Sequence, residues 1–489
     1  APATGGRDHD RPHEHHHGHA APDFGVETFF NYDDHQGFAH AVEACNGAGV
    51  CRKRSGGTMC PSYMGTQDER HATRGRGNAL RLAISGQTRL LGPGTPDFLD
   101  PDTHETLRLC LSCKACKSEC PSNVDIARLK AEYTAQSYRA RAEAHGGSGA
   151  PLQARVFGHV RSLNRLGSLT PGLANWVNSL GVTKRLVRRV LGVDERRSLP
   201  RFETSLWALL RRARRTSSSQ DSTQRPVVIL YADCFTAYNE PRIGLAAARV
   251  LEAFGYEVRL VPDHGTLFDG QWGGSGCCGR AMISTGLLKE ACQTVGQTLG
   301  TLRDAISQAQ DRFAGLVVCE PSCLSAIKDD WLELKLDVPL VERERLAARS
   351  FLVEEFLEKR WDSHPRRPRV AAEAGRVLLH AHCHQKALWG TDSSGAILKR
   401  LLGPDAVKVL DTGCCGMAGS FGFTADRYDL SMRIANLALL PQLAGAPHDA
   451  TLCAPGTSCR HQVHDATSAG RRALHPVELI DRLIERAPG

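Results

Sequence analysis

Hydrophobic positions along the chain follow two regimes that meet near Pro226. Before it, the pattern predicts helices. Asn78–Ser85 and Asp125–Tyr138 both have helix-forming composition behind polar or proline-bearing starts. Residues 151–212 read as mostly amphipathic helix, interrupted at Pro171 and Pro200. After Pro226, short β-branched runs alternate with helical stretches. Strands are expected at Pro226–Ala232, Glu257–Val261 and Gly315–Cys319, with helices at Ile243–Phe254 and Gly286–Leu302. This is the signature of an α/β fold wound around a parallel sheet.

The order then recurs. Arg376–His380 runs into Cys383 as Val227–Ala232 runs into Cys234. Gly276-Cys277-Cys278-Gly279 is matched by Gly413-Cys414-Cys415-Gly416, and Pro321-Ser322-Cys323 by Thr457-Ser458-Cys459, each after an apolar strand. The last cysteine follows the pair by 45 positions in one half (278 to 323) and 44 in the other (415 to 459). Two equivalent halves with four cysteines each is the economical reading.

At 489 residues the chain is long enough for about three domains. The expected division is a Gly/Pro/His-rich disordered or appended tail (1–22), a helical ferredoxin-like domain (23–145), a basic connector and polar linker (146–225), and two α/β repeats (226–350 and 351–489). No apolar run of about 18 residues predicts a membrane span. Net charge is +8, with much of the Arg between Arg139 and Arg225. No known nucleic-acid-binding motif accompanies these charges, so a solvated face or a surface for an anionic membrane or partner is favoured over nucleic acid. Eighteen cysteines in close sets, without a secretory signal, point to metal in a reducing, cytoplasmic compartment.

Cys110-x2-Cys113-x2-Cys116-x3-Cys120-Pro121 is the spacing that wraps a cubane iron–sulfur cluster, its last cysteine serving a neighbouring cluster. A second set is Cys45, Cys51 and Cys60-Pro61, with Ala48 at the middle position of its loop. Crossed ligation gives Cys60, Cys110, Cys113 and Cys116 to one complete [4Fe-4S] cluster. It leaves Cys45, Cys51 and Cys120 for a second site one thiolate short. A three-iron cluster, a four-iron cluster with a non-cysteine ligand, and no cluster all stay open there. Arg74 and Arg76 are candidates to pack against these anionic groups. In the repeats, Cys234, Cys277, Cys278 and Cys323, then Cys383, Cys414, Cys415 and Cys459, suit another iron–sulfur centre, a dithiol or zinc. His382 and His384 are candidate donors beside Cys383. Cys292, Cys319 and Cys453 read as structural thiols. No dinucleotide, P-loop or nucleophile-elbow signature appears, so no flavin site is expected in the chain itself.

Glu43–Arg54, Met59–Arg81, Leu109–Val124, Glu320–Leu324, His382–Ala387, Cys414–Gly422 and Gly456–Gln462 together resemble the iron–sulfur portion of fused FAD/iron–sulfur D-2-hydroxyacid dehydrogenases of the D-lactate and D-2-hydroxyglutarate kind. The Cys-Cys-Gly halves resemble those of glycolate oxidase iron–sulfur subunits, anaerobic glycerol-3-phosphate dehydrogenase and heterodisulfide reductase. The resemblance implies electron transfer from FAD on another domain or subunit to a quinone or a soluble carrier, with peripheral membrane contact. One departure stands out. Fuller Cys-Cys-Gly modules end in Cys-x2-Cys, and the first of that pair is Glu320 or Gly456 here. A disulfide or quinone reductase without a flavin partner, and a zinc scaffold, are the rival readings.

Overall fold

The computed structural model describes residues 25–87, 94–215, 224–261, 276–370, 375–447, 449–467 and 471–485. The expected tail lies outside them, as does most of the polar linker. The fold is mixed: mostly helical, with two parallel sheets behind a helical N-terminal region. The first sheet contains β1 (Val227–Tyr231), β2 (Glu257–Leu260), β3 (Phe313–Val318) and β4 (Ser350–Leu352), in the order β2-β1-β3-β4. The second contains β5 (Val377–Leu379), β6 (Val407–Val409) and β7 (Thr451–Cys453), in the order β6-β5-β7. All pairings are parallel, with Ile229 opposite Leu316 and Leu378 opposite Leu452.

The repeat is therefore structural. β1 and β5 are the central strands, flanked first by β2 and β6, then by β3 and β7. The fourth strand survives in the second sheet only as a single parallel bridge between Cys453 and Leu474. β4 straddles the division expected at residue 350. One apolar core joins the sheets, taking Val228 and Val317 from the first and Val377 and Leu379 from the second, all fully buried. Pro241–Ala253 packs on Pro476–Leu483 across this junction, where Arg249 pairs with Asp481 at 2.9 Å.

The helix expected at Asn78–Ser85 starts earlier and spans Thr73–Ile84. The one expected at Asp125–Tyr138 runs from Ile126 to His145, with the Asp125 carboxylate accepting from the Arg128 N–H at 3.1 Å as its N-cap. The chain turns back at Gly149, φ +64°, where a Cβ would sit 1.9 Å from the Tyr138 carbonyl oxygen. Only glycine fits that turn. The helices Leu152–Gly158, Val160–Leu169, Pro171–Ser179, Gly181–Leu191 and Leu206–Arg215 follow. Pro171 starts a helix, since its missing N–H has no partner to lose there.

The segment around Phe30 is tied to the first repeat. Phe30 bridges Leu334, and the Asn31 N–H donates to the Glu333 carbonyl at 2.7 Å. The N-terminal region and the first repeat thus share one core.

Candidate iron–sulfur and metal centres

The loop that carries Cys110, Cys113 and Cys116 is wound by alternating left-handed residues. Ser112 has φ +51° and Lys114 has φ +63°, unusual conformations for residues with a Cβ. They turn Cys110, Cys113 and Cys116 onto one cavity, also lined by Cys60, Thr73 and Arg76. Cys60 is itself left-handed, φ +53°, at the start of the helix Pro61–Thr66. Its sulfur receives the Thr73 N–H at 3.1 Å and lies 3.0 Å from Thr73 Oγ1. The Ser112 N–H points at the Cys110 sulfur from 3.5 Å. The structure thus gathers Cys60, Cys110, Cys113 and Cys116 around one cavity. Four buried or half-buried thiols around one cavity, with N–H donors aimed at sulfur, fit a four-thiolate cluster.

A buried and a half-buried cation, Arg76 and Lys130, act on these thiols. Arg76 is 2% exposed, donates to Ser62 Oγ at 2.7 Å, and lies beside Cys60 and Cys110. Burial pushes the Cys60 thiol up to about 11, against the pull of Arg76. Burial also raises Cys110, but Arg76 and Lys130 outweigh it and hold that thiol below its ordinary value. Arg74 is more peripheral. Its side chain pairs with Glu69 at 2.6 Å, and only its backbone N–H approaches the Cys51 sulfur, at 3.5 Å.

Of the second set, Cys51 is buried, and Cys45 and Cys120 are half-buried. Cys120 ends the helix Ala115–Glu119 with its N–H on the Cys116 carbonyl at 3.2 Å.

The repeats gather their cysteines beyond the carboxyl ends of their parallel strands, where open α/β sheets bind ligands. In the first, the Cys234 and Cys277 sulfurs lie 4.0 Å apart and those of Cys278 and Cys323 3.1 Å apart. In the second, Cys414 lies beside Cys383 and Cys415, and the Cys415 and Cys459 sulfurs lie within 4.8 Å of each other. Gly416 permits this turn. It has φ +88°, and a Cβ there would fall 2.2 Å from the Ser431 carbonyl oxygen. All eight cysteines are buried and unpaired by disulfides. Cys319 and Cys453 are buried at strand ends, and Cys292 is half-buried in the helix Leu288–Ala309.

His382 and His384 take different places. His382 Nδ1 accepts the His384 N–H at 3.1 Å and lies 3.9 Å from the Cys383 sulfur. His384 faces away from the thiols: Nε2 donates to the Ser112 carbonyl and Nδ1 accepts from Ser325 Oγ, each at 3.0 Å. Burial keeps this ring neutral. The Ser112 carbonyl also receives Arg280 Nη2 at 3.0 Å. Arg280 follows the Cys-Cys-Gly turn of the first repeat and His384 follows Cys383 of the second, so one carbonyl of the cluster loop is tied to both repeats.

Glu320, which stands where fuller modules have a cysteine, links the halves. One carboxylate oxygen accepts the Ser322 N–H at 3.2 Å, and the other the Thr457 N–H at 2.8 Å. Lys114 and Lys117 also dock rather than face solvent. Lys114 is 1% exposed and reaches Asp329 at 2.6 Å and Asp330 at 2.7 Å, while Lys117 pairs with Asp329 and Glu333. Two residues beside the thiols have no counterpart among the expected ones. They are His380, which lies with Cys415 and Cys459, and Tyr231 of the first half. The signal was present in the sequence, because both stand three positions before the first cysteine of their repeat.

Residues 41–124, which contain all seven N-terminal cysteines, match the family described as the 4Fe-4S dicluster domain. The chain is a 4Fe-4S dicluster domain protein, and the match implies two [4Fe-4S] clusters. It is related to electron-transfer components of dehydrogenases. A subunit of the anaerobic glycerol-3-phosphate dehydrogenase of Escherichia coli (strain K12) is 26% identical over 330 residues, 67% of this chain and 76% of that protein. The glycolate oxidase iron–sulfur subunit of the same strain is 23% identical over 466 residues, 91% of this chain and 95% of the relative. D-2-hydroxyglutarate dehydrogenase of that strain is 24% identical over 480 residues, 90% of this chain but 43% of the longer protein, in its C-terminal part. No solved structure gives a significant match. Among the described residues, no helix is long and apolar enough to cross a membrane.

Proposed function

We propose that the chain is the iron–sulfur arm of a flavin-linked dehydrogenase acting on a D-2-hydroxyacid of the lactate, 2-hydroxyglutarate or glycolate type. FAD and the substrate site belong to a partner domain or subunit. The observation that carries this reading is the closure of Cys60, Cys110, Cys113 and Cys116 around one cavity within the dicluster match. These four residues would hold one cluster, and Cys45, Cys51 and Cys120 would contribute to the other. Bound there, iron–sulfur clusters supply one-electron carriers, the chemistry needed to split a flavin's electron pair. The chain's own residues set the conditions. Arg76 and Lys130 compensate negative charge, the Thr73 N–H donates to sulfur, and the Ser112 carbonyl bridges to both repeats. The eight repeat cysteines would hold further iron–sulfur or zinc centres on the exit side, towards a quinone or soluble carrier.

Peripheral contact with the inner face of a membrane fits the helices Val160–Leu169, Pro171–Ser179 and Gly181–Leu191. Leu169, Leu173, Trp176, Val182 and Leu186 are each more than half exposed there, close to Lys184, Arg185, Arg188 and Arg189. Apolar side chains next to basic ones suit an anionic lipid surface. No nucleic-acid role is proposed.

The test is to purify the protein anaerobically from its source and identify what comes with it. A flavoprotein whose D-2-hydroxyacid substrate bleaches the iron–sulfur absorbance supports the reading. Bleaching by a dithiol or a quinol with no flavoprotein present contradicts it.

A further inference from the structure

His380 follows β5, three residues before Cys383, and is fully buried. Its Nδ1 lies 2.6 Å from Thr412 Oγ1. The Lys386 ammonium donates into the same hydroxyl at 3.2 Å, so the threonine oxygen acts as an acceptor. The hydroxyl keeps a second lone pair that can take the Nδ1 proton, and in that tautomer Nε2 keeps its own lone pair. That Nε2 has no hydrogen-bond partner among the described residues. The interior does not leave such an atom bare without cost, because a buried polar group without a partner keeps its full desolvation penalty. What faces the ring is sulfur. A ring nitrogen of His380 and the sulfurs of Cys415 and Cys459 all lie within 4.8 Å of one another, and all three residues are buried.

This is how a protein prepares a histidine for a metal. One ring nitrogen is held by an oxygen, which fixes the tautomer and orientation, and the other is aimed at a set of soft donors. The first repeat supplies the contrast. Tyr231 stands three residues before Cys234, fully buried against Cys277, Cys278 and Cys323, and its hydroxyl has no partner among the described residues. A neutral phenol can donate a proton to sulfur but is a poor ligand, so that half offers thiolates alone.

We infer that His380 Nε2 is a metal ligand in the second Cys-Cys-Gly repeat. With Cys415 and Cys459 it makes a mixed imidazole–thiolate centre, unlike the all-sulfur set of the first repeat. The metal is zinc or iron, both of which accept this donor set. If it is iron, a neutral imidazole in place of a thiolate removes negative charge and raises the reduction potential, giving the two repeats unequal potentials. The inference rests on the reading that the repeats carry metal, and it does not depend on the clusters of residues 41–124.

The test uses the full chain purified anaerobically, as wild type and as His380→Cys, His380→Ala and Cys415→Ser. Metal and sulfide are measured in each, with pulsed EPR for nitrogen bound to iron and zinc-edge X-ray absorption for zinc. Wild type should show a strongly coupled nitrogen on iron, or a nitrogen at about 2.0 Å beside sulfur at about 2.3 Å on zinc. His380→Cys should keep the metal and lose the nitrogen signal. His380→Ala and Cys415→Ser should lose metal from the same site. A sulfur-only shell in wild type, a nitrogen signal that survives in His380→Cys, or unchanged metal content in Cys415→Ser overturns the assignment. None of these outcomes touches the dicluster EPR signals, so failure here is distinct from failure of the electron-transfer reading.

Discussion

His384 Nε2 donates to the carbonyl oxygen of Ser112 across 3.0 Å, joining a residue of the second repeat to the loop between Cys110 and Cys113. With the bond from Arg280, which follows the Cys-Cys-Gly turn of the first repeat, this gives each repeat a direct hydrogen-bonded connection to the cluster loop. His384→Ala should cost about 1–3 kcal/mol, because Ser112 and Ser325 both lose a buried partner. It should also slow reoxidation of the reduced clusters by the physiological acceptor. Denaturation and stopped-flow traces on the holoprotein check the two effects separately. Wild-type reoxidation in a destabilised variant would show the contact to be structural alone.

Cys113→Ser should remove the cluster held with Cys60, Cys110 and Cys116 and abolish electron throughput. Cys292→Ser, changed in the helix Leu288–Ala309, should do little. Iron content is the readout, and equal loss in both variants would refute the ligand assignment.

The Lys114 ammonium is enclosed by Asp329 and Asp330, and Asp329 also serves Lys117. Both cations hold the Asp329 carboxyl well below its ordinary value despite burial. Removing one member of a buried pair leaves an uncompensated charge. Asp329→Asn leaves Lys114 with Asp330 alone and Lys117 with Glu333 alone, so it should destabilise the holoprotein by less than the loss of about 3–5 kcal/mol for a fully orphaned charge. Lys114→Met with Asp329→Leu, which removes both charges, should cost less than the single change. The comparison is made by chemical denaturation.

Stability should fall in acid through Glu240. Burial alone would raise this carboxyl, but the Arg460 guanidinium, bonded at 2.6 Å, outweighs it and moves the group from 4.5 to about 2. The folded value lies below the unfolded one, so the contribution is full above about pH 4.5 and is lost as pH falls towards 2. Denaturation of wild type and Glu240→Gln at pH 6, 4 and 3 should show their difference shrinking as pH drops. A constant difference would mean that the pair is not the cause.

If Leu173 and Trp176 enter a lipid surface, changing both to Glu should reduce sedimentation with phosphatidylglycerol vesicles at least tenfold. The far-UV spectrum should not change, because both side chains are about 60% exposed. Binding should also weaken with salt, as basic residues next to anionic lipid require.

Legibility from the sequence followed the length of each apolar run. β1 and β3, with five and six residues buried throughout, stand out as continuous apolar stretches. β4 and β6 are three residues each, and β6 carries the exposed Lys408, so neither rises above its surroundings. Cys110, Cys113 and Cys116 were readable because a cubane loop dictates their spacing, and Cys60 because its Cys-Pro step marks the crossed ligand. His380 and Tyr231 were not singled out, because only superposing the two repeats shows that they share a position beside the thiols. The Lys114–Asp329 contact spans 215 positions in sequence, and no local pattern records it.

The most direct test of the electron-transfer account is iron, acid-labile sulfide and zinc content of anaerobically purified protein, with EPR after dithionite reduction. The account predicts at least eight irons per chain, enough for two [4Fe-4S] clusters, and reducible cluster signals that Cys113→Ser diminishes. Stoichiometric zinc with no reducible signal would contradict it.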